Sequence, residues 1–181
     1  MPDVYNDFAI ERFSTRKRRK IMDKKLIDLM EDQINKELYS AYLYYDIAEY
    51  YRSKGLDGFH KRFEDQAREE IEHAEKFAEY LHDNDVAFKL KTIAAPENDF
   101  KDLREPLVLQ NTHEKYVTSL IHQLYDCAEK VGDTATKHFL GWYVNEQIEE
   151  EKTAKDLLEQ YDLYAKDGGI GLYQVNKDLL K

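Results

Sequence analysis

The stretch RFEDQAREEIEHAEKF, residues 62–77, carries the pattern that predicts how this chain folds. Its apolar residues recur in steps of three, four and seven, which is the spacing of one face of an α-helix. They are Phe63, Ala67, Ala74 and Phe77. Glu70 fills the gap in this series, and His73 lies one turn beyond it on the same face. A carboxylate and an imidazole are therefore predicted on the buried face of a helix.

The same periodicity extends to both sides of this stretch and predicts further helices. Four long helices are expected over about residues 23–52, 57–83, 106–132 and 134–161. Asp23 is the predicted N-cap of the first helix, and Gly55 its predicted stop. Three glycines, at positions 168, 169 and 171, are expected to break the chain before a short last helix over about residues 172–180.

The lengths of these segments predict their arrangement. Helices of this size are roughly 40 to 45 Å long, and short turns make the first and second, and the third and fourth, antiparallel neighbours. Residues 84–104 show no helical pattern. About twenty extended residues reach roughly 65 Å, which is enough to run the full length of the bundle. The predicted fold is all-α, a four-helix bundle with a long crossover between the second and third helices and a short fifth helix.

Composition narrows the class of protein. The 181 residues suit one domain, and 7 Gly with 3 Pro are too few for the turns of an all-β fold. A net charge of −10 disfavours nucleic acid as a partner and favours cations. Cys127 is the only cysteine, which excludes an internal disulfide and fits a reducing compartment. No apolar run is long enough to cross a membrane, so a cytoplasmic protein is expected.

The N-terminal segment differs from the rest of the chain. It contains a basic run at residues 16–20, followed by Met22, which resembles a natural start. Residues 1–22 are predicted to be an extension outside the fold, and residues 23–181 to form the domain.

Each long helix places an acid in its apolar series. Continuing the series through their gaps puts Glu37, Glu70, Glu114 and either Glu150 or Glu151 on the inward faces, with Gln147 beside the last. A single inward Glu commonly pairs locally, but four at matching depth repel one another and lose hydration. Almost no Lys or Arg shares these faces, so cations are expected between the helices.

The ligand types indicate which cation is preferred. Four carboxylates carry a charge that balances two divalent ions if His73 binds as the neutral imidazole. Carboxylate oxygens with one imidazole suit iron, manganese or magnesium better than structural zinc. Glu70 and His73, three residues apart, can bind one ion from one helix, and Glu70 can bridge to a second.

With these residues identified, the chain resembles the bacterial non-haem ferritins over residues 23–181. The matching segments are NKELYS (35–40), REEIEH (68–73), HE (113–114), WYVNEQIEEEK (142–152) and GLY (171–173). The resemblance implies the ferritin-like fold and a ferroxidase centre. That centre oxidises Fe(II) with dioxygen or hydrogen peroxide, and the Fe(III) is stored as mineral in a hollow homo-oligomeric shell of about 24 copies.

The resemblance also implies residue roles. Glu37 and His73 are expected on the first iron, Glu70 as a bridge, and Glu114 with Glu150 on the second iron. Gln147 is expected alongside and Tyr44 beside the centre. A third iron site is implied for Glu69, Glu146 and Glu149.

Departures from related families limit what is expected. Haem-binding bacterioferritins use a methionine in the second helix, but this chain has Met only at positions 1, 22 and 30, so no haem is expected. Rubrerythrins usually carry a module with four cysteines. A small di-iron oxidase or peroxidase of the rubrerythrin type, which stores nothing, remains the alternative. A helical structural protein with accidental inward acids is the other.

Overall fold

Four long helices form the body of the protein in a computed structural model that describes residues 22–181. Their bounds are Lys24–Ser53 (α1), Asp57–Asp83 (α2), Glu105–Lys130 (α3) and Thr134–Gln160 (α4), and a short α5 spans Gly169–Asp178. The described part of the chain contains helices and no strand. These findings confirm the predicted all-α bundle with its fifth helix.

Capping residues account for where α1 and α4 begin, and a glycine follows the end of α1. The Asp23 side chain accepts a hydrogen bond from the Lys25 N–H at 2.9 Å. Asp133 likewise accepts from the Thr136 N–H at 3.0 Å at the start of α4. Both satisfy N–H groups that have no partner within the helix. Gly55 follows α1 with φ of +71°, in the left-handed region that glycine favours.

The crossover lies along α1. The Asn35 side chain donates to the Thr92 carbonyl at 3.4 Å, and the Tyr51 hydroxyl donates to the Leu103 carbonyl at 2.7 Å. Because the contacts on α1 and on the crossover advance in the same direction, residues 84–104 run beside α1 and return the chain to the other end of the bundle.

A tertiary contact fixes the fifth helix. Leu56 precedes α2 and gives it no side-chain cap. The Asn176 Oδ1 atom of α5 accepts the Gly58 N–H at 2.8 Å and the Phe59 N–H at 3.3 Å in its place. A Cβ atom on Gly58 would lie 1.7 Å from the Asn176 carbonyl oxygen, so this contact requires glycine.

The prediction that the last helix begins near Leu172 was wrong by one turn. A π-helical turn, Tyr161–Ala165, follows α4, and α5 begins at Gly169. Gly171 lies inside the helix rather than breaking the chain. It is needed for close approach, because a Cβ there would lie 1.7 Å from the Tyr164 carbonyl oxygen.

Two hydrophobic clusters fill the core at opposite ends of the bundle. The first contains Tyr51, Phe59, Phe63, Leu107 and Leu157, and the second contains Leu26, Met30, Phe77, Ile121 and Leu140. The inward acids lie along each helix between its contributions to these two clusters. Met22, predicted to belong to the extension, packs against the second cluster. Residues 1–21 lie outside the described residues, so their separation from the domain stays a prediction.

None of the helices between residues 22 and 181 combines the length and the apolar composition that a bilayer-spanning segment requires.

Candidate metal centre

A layer of buried polar side chains crosses the middle of the bundle. Each of the four long helices contributes to it, and the members predicted from the sequence are between 1% and 6% exposed. The members predicted from the sequence are Glu37 on α1, Glu70 and His73 on α2, Glu114 on α3, and Gln147 and Glu150 on α4. Glu151, the alternative to Glu150, is half-buried and accepts a hydrogen bond from the Thr118 hydroxyl at 2.6 Å.

One half of the layer brings three ligand-type side chains together. Single ligand atoms of Glu37, Glu70 and His73 all lie within 4.8 Å of one another. His73 Nδ1 lies 3.4 Å from Glu70 Oε2. The imidazole is held by neighbours, because the Trp142 ring packs edge-on against it with centroids 5.5 Å apart. These atoms are spaced so that one cation could contact all three.

The other half of the layer centres on Glu114. The Tyr44 hydroxyl donates a hydrogen bond to Glu114 Oε1. Gln147 Nε2 lies 3.4 Å from Glu114 Oε2 and 3.3 Å from the Glu114 carbonyl oxygen. Glu114 also interacts electrostatically with Glu70 and Glu150. Tyr44 and Gln147 thus lie beside Glu114.

Burial makes the charged form of these acids costly. Desolvation, followed by repulsion from neighbouring carboxylates, raises the pKa of Glu37 and of Glu70 well above the ordinary value. Desolvation likewise raises the pKa of Glu114 to about 7 and that of Glu150 to about 7. Within residues 22–181 no Lys or Arg is buried. Protein cations therefore do not compensate the layer.

The donor set fits iron. Glu37 Oε2 is buried and has no hydrogen-bond partner within the described structure, although an unpaired buried acceptor is unfavourable. A bound cation would satisfy it. Hard oxygen donors with one imidazole match the ligand preferences of iron and lack the thiolates typical of structural zinc.

A second group of ligand atoms adjoins the first on the α2–α4 side. Atoms of His73, Glu146 and Glu150 lie within 4.8 Å of one another, with His73 Nε2 3.8 Å from Glu146 Oε1. Glu69 and Glu149 are exposed and line a surface cleft together with Glu146 and Glu150. The three residues that the resemblance implied for a third iron site thus share one cleft that touches the buried layer.

Comparison with known proteins decides the family. A model of the ferritin-like domain matches residues 27–164 of the chain. The chain belongs to the ferritin family.

Several known ferritins align with most of this chain. A probable bacterial non-heme ferritin-like protein of Haemophilus influenzae is 33% identical over 159 residues, which cover 88% of this chain and 96% of that protein. A bacterial non-heme ferritin of Campylobacter jejuni is 33% identical over 153 residues, or 84% of this chain and 91% of that protein. Among solved structures, the open pore ferritin of Archaeoglobus fulgidus superposes with a TM-score of 0.84 at 35% identity, covering 87% and 96% of the two chains.

Ferritin membership confirms the resemblance found in the sequence. It supports iron storage and, in general terms, iron oxidation, and the buried carboxylates with His73 are compatible with a di-iron site.

Sequence reasoning missed two polar residues of this ferritin's buried layer. Gln33 Nε2 donates to Glu37 Oε1 at 2.9 Å, and Gln66 Nε2 lies 2.8 Å from each oxygen of Glu150. The sequence contained a signal for both residues. Gln33 lies four residues before Glu37, and Gln66 lies four residues before Glu70, so each glutamine shares a helix face with an inward acid.

His113, which directly precedes Glu114 on α3, packs beside the centre. Its Nε2 atom lies 2.7 Å from the Ser40 hydroxyl, and its ring meets that of Tyr44 edge-on with centroids 5.9 Å apart. Burial lowers the pKa of His113 to about 4, so it is neutral at physiological pH.

Proposed function

We propose that this protein binds two Fe(II) ions per chain in the buried layer, oxidises them to Fe(III) with dioxygen or hydrogen peroxide, and stores the product as mineral. The observation that carries the proposal is the set of four buried carboxylates with no buried Lys or Arg among the described residues. Two divalent cations would neutralise that charge and would release the protons that the raised pKa values retain.

The proposed roles are those implied by the resemblance to ferritins, and the close grouping of Glu37, Glu70 and His73 supports the assignment of the first iron. Glu37 and His73 would hold the first iron, and Glu70 would bridge the two. Glu114 and Glu150 would hold the second iron, and Gln147 would orient Glu114 through its side-chain amide.

The protein's contribution is proximity and charge. Holding two Fe(II) ions side by side allows dioxygen to take one electron from each, and with two protons it leaves as hydrogen peroxide. Anionic oxygen ligands stabilise Fe(III) more than Fe(II), so the product is favoured. The Tyr44 hydroxyl would keep the Glu114 carboxylate oriented toward the second iron.

The surface cleft would receive iron on its way from the centre. Glu69, Glu146 and Glu149 supply carboxylates there, and Glu146 reaches His73 at the buried layer. We propose a third iron site in this cleft, a homo-oligomeric shell of about 24 copies around the mineral, and a cytoplasmic location. Haem has no part in this proposal.

Stopped-flow mixing of Fe(II) with oxygenated metal-free protein tests the oxidation. A rapid phase that saturates at about two irons per chain is expected from the charge balance. Slow, unsaturable oxidation equal to that in buffer would refute it. Native mass measurement tests storage, because a small oligomer that oxidises iron but retains none would favour the rubrerythrin-type alternative.

A further inference from the structure

Gln66 makes an unusual contact in the buried layer. It is 0% exposed, and its Nε2 atom lies 2.8 Å from both carboxylate oxygens of Glu150. The two residues belong to different helices, since Gln66 is on α2 and Glu150 on α4. A hydrogen bond to a charged acceptor is stronger than one between neutral groups. Gln66 therefore ties the acid of one helix to the opposite helix.

The carboxylate determines how the Gln66 amide is oriented. Its Oε1 atom is buried and has no hydrogen-bond partner in the described structure. Turning the amide over would place that oxygen against the oxygens of Glu150, which is electrostatically unfavourable. The unpaired Oε1 is thus tolerated in order to keep the N–H group on Glu150.

Two other buried glutamines beside inward acids make no such contact between helices, and Gln147 contacts Glu114 of α3 only at 3.4 Å. Gln33 donates to Glu37 on its own helix, where the four-residue spacing alone brings the groups together. Gln110 stands one turn before Glu114 and is 1% exposed, yet neither of its amide atoms has a hydrogen-bond partner in the described structure. Among Gln33, Gln66 and Gln110, only Gln66 holds an acid across the bundle.

Glu150 is shared between two possible cation positions. It interacts electrostatically with Glu114 inside the layer, and it also lies within 4.8 Å of His73 and Glu146 on the cleft side. A carboxylate free to rotate could serve either position. A group that restrains the Glu150 carboxylate therefore determines how strongly the position inside the layer binds its cation.

We propose that Gln66 is a positioning residue that holds Glu150 in the buried layer and so maintains the affinity of the second cation position. This inference rests on the proposed function, because it assigns Glu150 to that position. Gln66 itself touches no reacting atom. Without its amide, Glu150 turns toward Glu146 and the cleft.

Anaerobic titration with Co(II), which is not oxidised by the centre, tests this inference through binding alone. The wild type is expected to bind two Co(II) ions tightly per chain. Gln66→Met keeps the side-chain length but removes the donor, and Gln66→Asn keeps the amide but shortens its reach. Both are expected to retain the first ion and to weaken the second by about 10-fold to 100-fold, the usual effect of removing a group that orients a ligand.

Gln110→Met is the matched control. It replaces an equally buried glutamine beside an inward acid, but it removes no hydrogen bond, so both Co(II) affinities should match the wild type. Circular dichroism and gel filtration establish that each variant is folded and assembled. A crystal structure of Co(II)-loaded Gln66→Met should show the Glu150 carboxylate turned toward Glu146.

The outcomes separate the two proposals. If the wild type binds no pair of Co(II) ions, the proposed function fails. If the wild type binds two and both Gln66 variants bind them equally well, the positioning role fails and the proposed function stands. If Gln110→Met weakens the second Co(II) ion as much as the Gln66 variants do, the loss of affinity is caused by altered core packing, and the positioning role of Gln66 also fails.

Discussion

The Tyr44 hydroxyl on α1 donates a hydrogen bond to the Glu114 carboxylate on α3, inside the buried layer. Both side chains are at most 1% exposed. The contact joins two helices at the level of the acids and favours the ionised form of Glu114, which is the form that binds metal.

Tyr44→Phe should slow iron oxidation while leaving the fold intact. Losing a hydrogen bond to a charged group costs about 1.5 to 3 kcal/mol, so the initial rate at subsaturating Fe(II) should fall by about tenfold or more. Stopped-flow absorbance measures this rate. Tyr51→Phe is the control, because it removes a hydrogen bond to the Leu103 carbonyl within the first cluster. Equal rates for wild type and Tyr44→Phe would remove Tyr44 from the centre.

Glu70→Ala should abolish the rapid phase of oxidation, because Glu70 is the proposed bridge between the two irons. We expect a fall of at least about 100-fold in the initial rate, with the assembled state unchanged by light scattering. Glu72→Ala, on the exposed face of the same helix, should oxidise iron like the wild type. Retention of the fast phase in Glu70→Ala would contradict the proposed centre.

The stability of the metal-free protein should fall as pH rises from about 4.5 to about 7. The pKa of Glu114 is about 7 and that of Glu150 about 7 in the folded state, against 4.5 for an unperturbed glutamate. The folded state therefore binds more protons than the unfolded state in this window, and its advantage is greatest below pH 4.5 and lost above pH 7.

Between pH values well below 4.5 and well above 7, Glu114 and Glu150 are each expected to lower the free energy of unfolding by about 3 kcal/mol. Denaturant unfolding at pH 5 and pH 8 measures it. Glu114→Gln cannot titrate at that position and should show a smaller difference between the two pH values. A metal-free protein that is more stable at pH 8 than at pH 5 would contradict the burial of these acids.

Gly58→Ala should loosen the fifth helix. The added Cβ would lie 1.7 Å from the Asn176 carbonyl oxygen, and forcing such contacts typically costs about 1 to 3 kcal/mol. Gly141→Ala provides a control of opposite sign, because nothing lies within 4 Å of its Cβ in the interior of α4. It should stabilise the protein by about 0.5 to 1 kcal/mol. A melting temperature of Gly58→Ala equal to or above that of the wild type would show that the α5 contact is unimportant.

Glu149→Gln should change the later course of iron uptake and spare its start. Glu149 is exposed in the cleft and is absent from both groups of closely spaced ligand atoms within the described chain. The first rapid phase should keep its amplitude, while the amount of iron oxidised per dioxygen, measured with an oxygen electrode, should shift. A reduced first phase would place Glu149 in the centre itself.

The bounds of the long helices and the inward position of the acids could be predicted from the sequence, because both depend on local signals. Asp23 and Asp133 cap their own helices, and the 3.6-residue period determines which side of a helix Glu70 faces.

Contacts between helices were decided by the tertiary structure alone. Asn176 caps α2 from a position more than a hundred residues away, and Gln66 reaches Glu150 across the bundle. Periodicity shows that a side chain faces inward, but which partner it meets depends on how the helices are rotated and shifted against one another. That relation arises from the packing of the whole core, so no single segment of the sequence contains it.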